Sequence, residues 1–419
     1  MDRKIQLLAG CLETLVGGSL YLFGVYAPQL KDEMELNQTQ INDIGAGMFL
    51  GGCLLLWPVS YISDNYGPKI PMIAATVVGT LSYLMIYLDV QDVFDLPYSV
   101  IFILFAGIGF YVIAMFTVIL PTVKTHYEDH PNMVSSFLQT FYGLGNVMWP
   151  LLYKYAMGLS LGTGMLVLSI AALVGGIVNI ICVSPSAGAY QRINSSDEET
   201  PLTKEKSRSV WSLLKDWQFW VLVVIFFFNF ATTINFFANI GSIYESIGGS
   251  SHNTFLLMVA FGISQTVGRL WCLGWSFKHL SSELLLSFSL GLQVIANACA
   301  SWVSTSPASI VVYLSATGVS YGLCWTLFYI IFGSYFTSVP PAQLFAVASI
   351  LAPGIGPMVL NSISGAIYDH YGYESDDTVK CDGDKCYYGT FVTAFAMDLA
   401  GLLLLLALWM HRRKTEVLA

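Results

Sequence analysis

Twelve runs of mostly apolar residues set the limits on what this chain can fold into. In order they are Ile5–Leu30, Ile41–Ile62, Ile70–Leu88, Tyr98–Leu120, Val134–Ala156 and Thr163–Val183, then Trp217–Ile243, Thr254–Leu273, Leu284–Val303, Ala308–Phe336, Leu344–Ile367 and Tyr387–Trp409. An α-helix needs about 20 such residues to cross the hydrocarbon layer of a bilayer. Barrel strands would alternate over about ten residues, and these runs do not. Charged residues are 11% of the 419, against about 25% in soluble domains. The net charge of −9 leaves no basic footprint for a nucleic acid. The expectation is an all-α polytopic membrane protein whose twelve transmembrane helices form two six-helix pseudo-repeats.

Lysine and arginine collect in cytosolic loops. With a cytosolic N-terminus, thirteen of them fall inside, four (Lys31, Lys154, Lys380 and Lys385) fall outside, and Arg269 lies within a span. Both termini are therefore expected in the cytosol. The polar stretch 184–216 separates a six-helix bundle over 1–183 from a second over 217–411, followed by a cytosolic tail at 412–419. This stretch reads as a flexible cytosolic linker. Gly51, Gly107, Gly143 and Gly145 recur at a constant offset of 211 as Gly262, Gly318, Gly354 and Gly356. Parallel six-span repeats place a substrate site between the halves, near the midplane.

The loop after the second run, Ser60-Tyr-Ile-Ser-Asp64-Asn-Tyr-Gly67-Pro-Lys69, puts an acid at a helix end, a glycine in a turn and a base at the next helix start. Asp64, Gly67 and Lys69 read as a conformational latch, the acid meeting the positive end of a helix and Gly67 allowing a left-handed turn. The loop resembles the signature of the major facilitator superfamily, with Ser60 and Asn65 where that pattern has a glycine and a base. Gly17-Gly-Ser-Leu-Tyr21-Leu-Phe-Gly24-Val-Tyr26-Ala-Pro, Gln38-Thr-Gln-Ile41, Gly365-Ala-Ile-Tyr-Asp369 and Cys381-Asp-Gly-Asp-Lys-Cys386 are similar to its nodulin-like branch. That branch adjoins monocarboxylate-transporter-like and oxalate/formate-antiporter-like groups. The resemblance implies the major facilitator fold, with runs one, four, seven and ten lining a central path.

Charges within spans are costly and mark function. Three stand out, well inside their spans: Glu13, Arg269 and Asp398. Glu13 and Arg269 sit at similar depth on the cytosolic side of the midplane, and pairing in one state of the cycle is expected of them. In acid carriers an arginine on the eighth span grips the substrate carboxylate, and Arg269 matches that position. Gln265 stands where those carriers have an acid one turn earlier. Glu13 and Asp398 are the candidates for coupling, Asp398 also for a structural pairing. Helical spacing puts Glu13, Gly17 and Tyr21 on one face of the first span, and Gln139, Gly143 and Asn146 on one of the fifth. Asn229 with Thr233, and Tyr321 with Trp325, share faces of the seventh and tenth. Arg269, Glu13, Tyr21, Gln139, Asn146 and Asn229, together with Gln265, Tyr321 and Trp325, make up the expected substrate-binding set.

Cys381 and Cys386 lie in the last outside loop, where a local disulfide fits an oxidising face. No metal site, cofactor or catalytic constellation is expected: the six histidines fall in loops or at span ends, and no nucleotide-binding loop occurs. The function read from the sequence is secondary active transport of a small polar or anionic organic solute by alternating access, with proton coupling. A transport-inactive sensor or scaffold on the same fold is the alternative. The expected partners are the solute and the lipid bilayer of a plasma or vacuolar/lysosomal membrane, with the chain a monomer or weak homodimer.

Overall fold

The computed structural model describes all residues except 1, 128–130, 186–209, 251–252, 274–279, 304–305, 337–338, 340, 376–377 and 419. Most of the expected linker thus lies outside the described residues. In chain order the long helices are α1 (Arg3–Glu33), α2 (Gln38–Tyr66), α3 (Lys69–Val90), α4 (Tyr98–Lys124), α5 (Pro131–Tyr155) and α6 (Leu161–Cys182). They continue with α7 (Trp217–Ala238), α8 (Thr254–Leu273), α9 (Ser282–Trp302), α10 (Pro307–Tyr335), α11 (Gln343–Tyr371) and α12 (Lys385–Leu418). Among the described residues eleven helices are long and apolar enough to cross a membrane. The twelfth, α5, spans 25 residues but carries Asn132, Gln139 and Asn146, which dilute its apolar character. The all-helical membrane architecture is as the sequence implies. Two three-residue strands are added to it, β1 (Tyr373–Ser375) and β2 (Thr378–Lys380), paired antiparallel ahead of α12.

Several helices are broken where the sequence weakens them. In α1 the α-helix ends at Gly17 and a 3₁₀ turn follows over Gly18–Leu22. There α1 crosses α5 so closely that a Cβ on Gly18 would lie 2.6 Å from the Gly145 Cα. Only hydrogen fits at that contact. α2 is interrupted at Leu55, and α11 passes through a π-helical turn at Ile350–Ile355 that contains Pro353. Such turns accommodate a proline that cannot donate to the preceding turn. The short helix Ile240–Ser246 continues the path of α7 past Asn239.

The constant offset has a packing basis in two of the four glycine pairs. A side chain on Gly145 would meet the Leu15 carbonyl of α1 at 2.4 Å, and one on Gly356 the Phe227 carbonyl of α7 at 2.9 Å. Gly143 faces Thr266 of α8, and Gly354 faces Cys53 of α2. These contacts are equivalent when the halves are exchanged. Gly51 and Gly262 meet unrelated partners, Ala106 and Asn146, and share only their place on matching helices.

Candidate functional site

Arg269 lies on α8 at the contact with α5, where the two halves meet, and is 3% exposed. One guanidinium nitrogen donates to the Gln139 carbonyl at 2.7 Å and another to Gln265 Oε1 at 3.3 Å. The guanidinium lies 5.1 Å from the Tyr142 ring centroid. These partners hold the group in one orientation but leave its charge unopposed: among the described residues Arg269 has no ion-pair partner. Arg269 Nε, Gln265 Nε2 and Trp325 Nε1 are buried donors that meet no acceptor in good geometry among the described residues. Asn146, fully buried on α5, has neither amide atom bonded among the described residues. The surplus here is of donors and positive charge, the chemistry that receives an anion.

Between these groups is a cavity of about 30 Å³, lined by Gln139, Tyr142, Arg269, Trp325, Phe116 and Phe345 among others. That is room for about two or three waters. Toward the predicted outer end it is closed by aromatic rings. Tyr21 and Tyr321, from opposite halves, share a 2.7 Å hydroxyl–hydroxyl hydrogen bond. Phe237 and Phe261 pack within 5.0 and 6.2 Å of the Tyr21 ring. Gln139 also joins the halves, its Oε1 accepting from Thr326 at 3.1 Å.

Further out, α2 and α11 are joined by a polar ladder that the sequence reading missed. Asn42 Nδ2 donates to the Asn361 carbonyl at 3.1 Å, and Asn361 Nδ2 to the Asn42 carbonyl at 3.2 Å. Thr39 donates to Asp369 at 2.5 Å, Ser362 to Asp43 at 3.0 Å, and Gln38 to Asn239 at 3.3 Å. The one available signal was the i, i+4 spacing of Gln38 with Asn42 and of Asn235 with Asn239. Above the ladder opens a vestibule of about 480 Å³ lined by Lys31, Asp32, Glu245 and Lys380, with Cys381 at its wall. Cys381 and Cys386 are disulfide-bonded, and the loop between them is tied to the short helix after α7 by a Gly383 N–H to Ser246 carbonyl bond of 2.7 Å.

The structure does not bring Glu13 to Arg269. Glu13 is 2% exposed and packs against α6, with Asn179 Nδ2 at 3.4 Å from its Oε2 and the Tyr111 hydroxyl of α4 beside it. The cause is the 3₁₀ turn. Eight α-helical steps would set Glu13 and Tyr21 about 80° apart; with the last four at about 120° each, they diverge by about 160°. Tyr21 therefore faces the centre while Glu13 faces the interior of its own bundle, and the single face expected of α1 is split. Asn229 likewise turns into the second bundle, its Nδ2 3.5 Å from Ser320 Oγ, and does not line the cavity. Asp398 is fully buried between α7, α9 and α12, accepting from Thr232 at 3.0 Å and from Asn297 at 2.8 Å. In the expected latch Gly67 takes a φ of +89°, a conformation that side chains disfavour, while Asp64 and Lys69 are exposed on the flanking turns without an ion-pair partner among the described residues.

Comparison with known proteins fits this geometry. The Major Facilitator Superfamily pattern matches residues 10–354. The probable transporter MCH1 of Debaryomyces hansenii is 24% identical, covering 97% of this chain and 92% of that protein. Its namesake in Candida albicans is 25% identical, covering 99% and 94%. Among solved structures, the nucleoside transporter NupG superposes with a TM-score of 0.69 at 12% identity, covering 98% of this chain and 99% of that one. A variant of NupG reaches 0.72 at 11%, covering 97% and 100%.

Proposed function

This chain belongs to the major facilitator superfamily, and we propose that within it the protein moves a small organic anion across its membrane by alternating access, Arg269 gripping the anionic group. The family membership makes it an integral membrane transporter and not an enzyme. The observation that carries the substrate class is the buried, unopposed charge of Arg269, surrounded by unpaired donors. A planar guanidinium can hold a carboxylate with two parallel bonds. The monocarboxylate-transporter-like and nodulin-like resemblance supports the same class.

With about 30 Å³ at the centre and the ladder and aromatic rings above it, this conformation is closed toward the predicted outer end. Loading requires the halves to part, and the Tyr21–Tyr321 bond is the innermost contact that must break on the outer route. Proton coupling falls to Glu13, a buried acid without a basic partner among the described residues, which acts on the tilt of α1 and not by touching the anion. Cytosolic termini place the vestibule on the outer or lumenal face.

The test is binding to purified protein. Small carboxylates should raise the thermal midpoint in a saturable way, while their amides and neutral sugars should not. Stabilisation by neutral solutes alone would overturn the anion reading and leave the family membership standing.

A further inference from the structure

The second bundle contains a charge that the anion path does not use. Asp398 is fully buried, both its oxygens accept hydrogen bonds, and no basic group pairs with it among the described residues. An ionised carboxylate in such a place needs a counter-charge.

The surroundings say which kind. On α9, Ser289, Gln293 and Asn297 follow one another at four-residue spacing and so share a face. Ser289 bonds Ser320 Oγ of α10 at 3.0 Å, and Asn297 bonds Asp398, so this face looks into the bundle interior. Gln293, between them, is fully buried, and neither of its amide atoms has a partner among the described residues. On α7, Asn229 reaches the Ser320 that Ser289 meets and Thr232 reaches the Asp398 that Asn297 meets, so α7 faces Gln293 across the bundle; Asn229 Oδ1 and Thr233 Oγ1, one turn apart on it, are also buried and without a partner among the described residues. Three orphaned oxygens thus accompany one uncompensated carboxylate.

A proton on Asp398 would cancel the charge but leave Gln293, Asn229 and Thr233 unsatisfied. A water beside a protonated Asp398 is the competing arrangement, and it would make stability follow pH and not the alkali cation. A divalent ion would leave a net positive charge, and its usual sites supply more carboxylates. An all-oxygen set selects a hard ion over a transition metal. We propose that Asp398, with Gln293 Oε1, Asn229 Oδ1 and Thr233 Oγ1, binds one monovalent alkali cation within the second bundle. The site lies away from the Arg269 cavity. It adjoins that cavity only through α7 and α10, where Phe230, next to Asn229, packs 4.8 Å from the Trp325 ring. The cation would thereby fix the α7–α10 contact that carries Trp325.

The inference is read by binding alone and stands or falls separately from the substrate class. The full-length protein, purified in detergent without substrate, is heated in NaCl, KCl or choline chloride at equal ionic strength, and equilibrium binding of radioactive Na⁺ is measured on the same sample. The thermal midpoint should climb and saturate with Na⁺ or K⁺ but not with choline, with one Na⁺ bound per chain where Na⁺ is the stabilising ion. Asp398→Asn keeps the shape and should abolish the response. Gln293→Leu should require at least tenfold more cation for half effect. Equal midpoints in all three salts for the wild type would overturn the proposal. So would a response to pH alone, or an Asp398→Asn variant that still follows the alkali cation. Should either variant fail to fold, the wild-type cation titration decides the matter by itself.

Discussion

Replacing Asn361 with leucine should loosen the outer closure by an amount that the ladder fixes. Asn361 is fully buried, donates from Nδ2 to the Asn42 carbonyl at 3.2 Å, and accepts at Oδ1 from Asn235 at 2.8 Å. Leucine fills a similar volume but removes both bonds. Asn235 lies on α7 in the same half as Asn361, so only the bond to Asn42 crosses to the other half and breaks on opening, with a net worth of about 0.5–1.5 kcal/mol. A shift of that size changes the ratio of outward-open to closed forms about 2- to 12-fold. Val25, buried at the vestibule wall, is a suitable reporter as Val25→Cys. Its reaction with a membrane-impermeant maleimide, added to the outer face, should accelerate at least about twofold in the Asn361→Leu background. Labelling proceeds through the open form, so the rate follows its population. An unchanged rate in a variant that folds and inserts would refute the reasoning, because the ladder would then contribute nothing to closure.

Gly18→Ala places a methyl group where only hydrogen fits, 2.6 Å from the Gly145 Cα, and should cost about 1–3 kcal/mol, read as a lower thermal midpoint. Because Glu13 and Arg269 face different interiors, the stability effects of Glu13→Gln and Arg269→Ala should add within about 0.5 kcal/mol; a larger interaction energy would place them in contact. Replacing Cys381 and Cys386 by serine opens a short loop that is pinned to the Ser246 carbonyl. The loss should be about 2 kcal/mol of local stability, seen as faster hydrogen exchange confined to 373–388; exchange unchanged there would show that the disulfide constrains nothing.

What could be read from the sequence follows from the kind of signal each feature leaves. An arginine inside an apolar run is visible without coordinates, so Arg269 stood out, as did Asp398. The helices were legible for the same reason, since a bilayer allows few ways to satisfy a backbone. The direction in which Glu13 points was not legible, because it depends on a five-residue 3₁₀ turn that glycine permits but does not announce. The ladder was missed because Gln38 and Thr39 lie at a span edge, where polar residues are ordinary, and because Asn42 and Asn361 are 319 positions apart. The face of α9 was passed over since serine, glutamine and asparagine at four-residue spacing carry no charge. Its significance comes only from the carboxylate opposite.

The central claim is that Arg269 holds the anion. Losing one partner from a buried charged pair costs about 2 kcal/mol or more, so Arg269→Ala should lower binding of the favoured carboxylate by at least about 30-fold. Arg269→Lys should recover little of it, since a point charge lacks the two-pronged geometry. The direct measurement is uptake of labelled carboxylate into liposomes carrying equal amounts of wild-type, Arg269→Ala or Arg269→Lys protein. The account predicts uptake by the wild type alone. Full uptake by a stably inserted Arg269→Ala variant would contradict it.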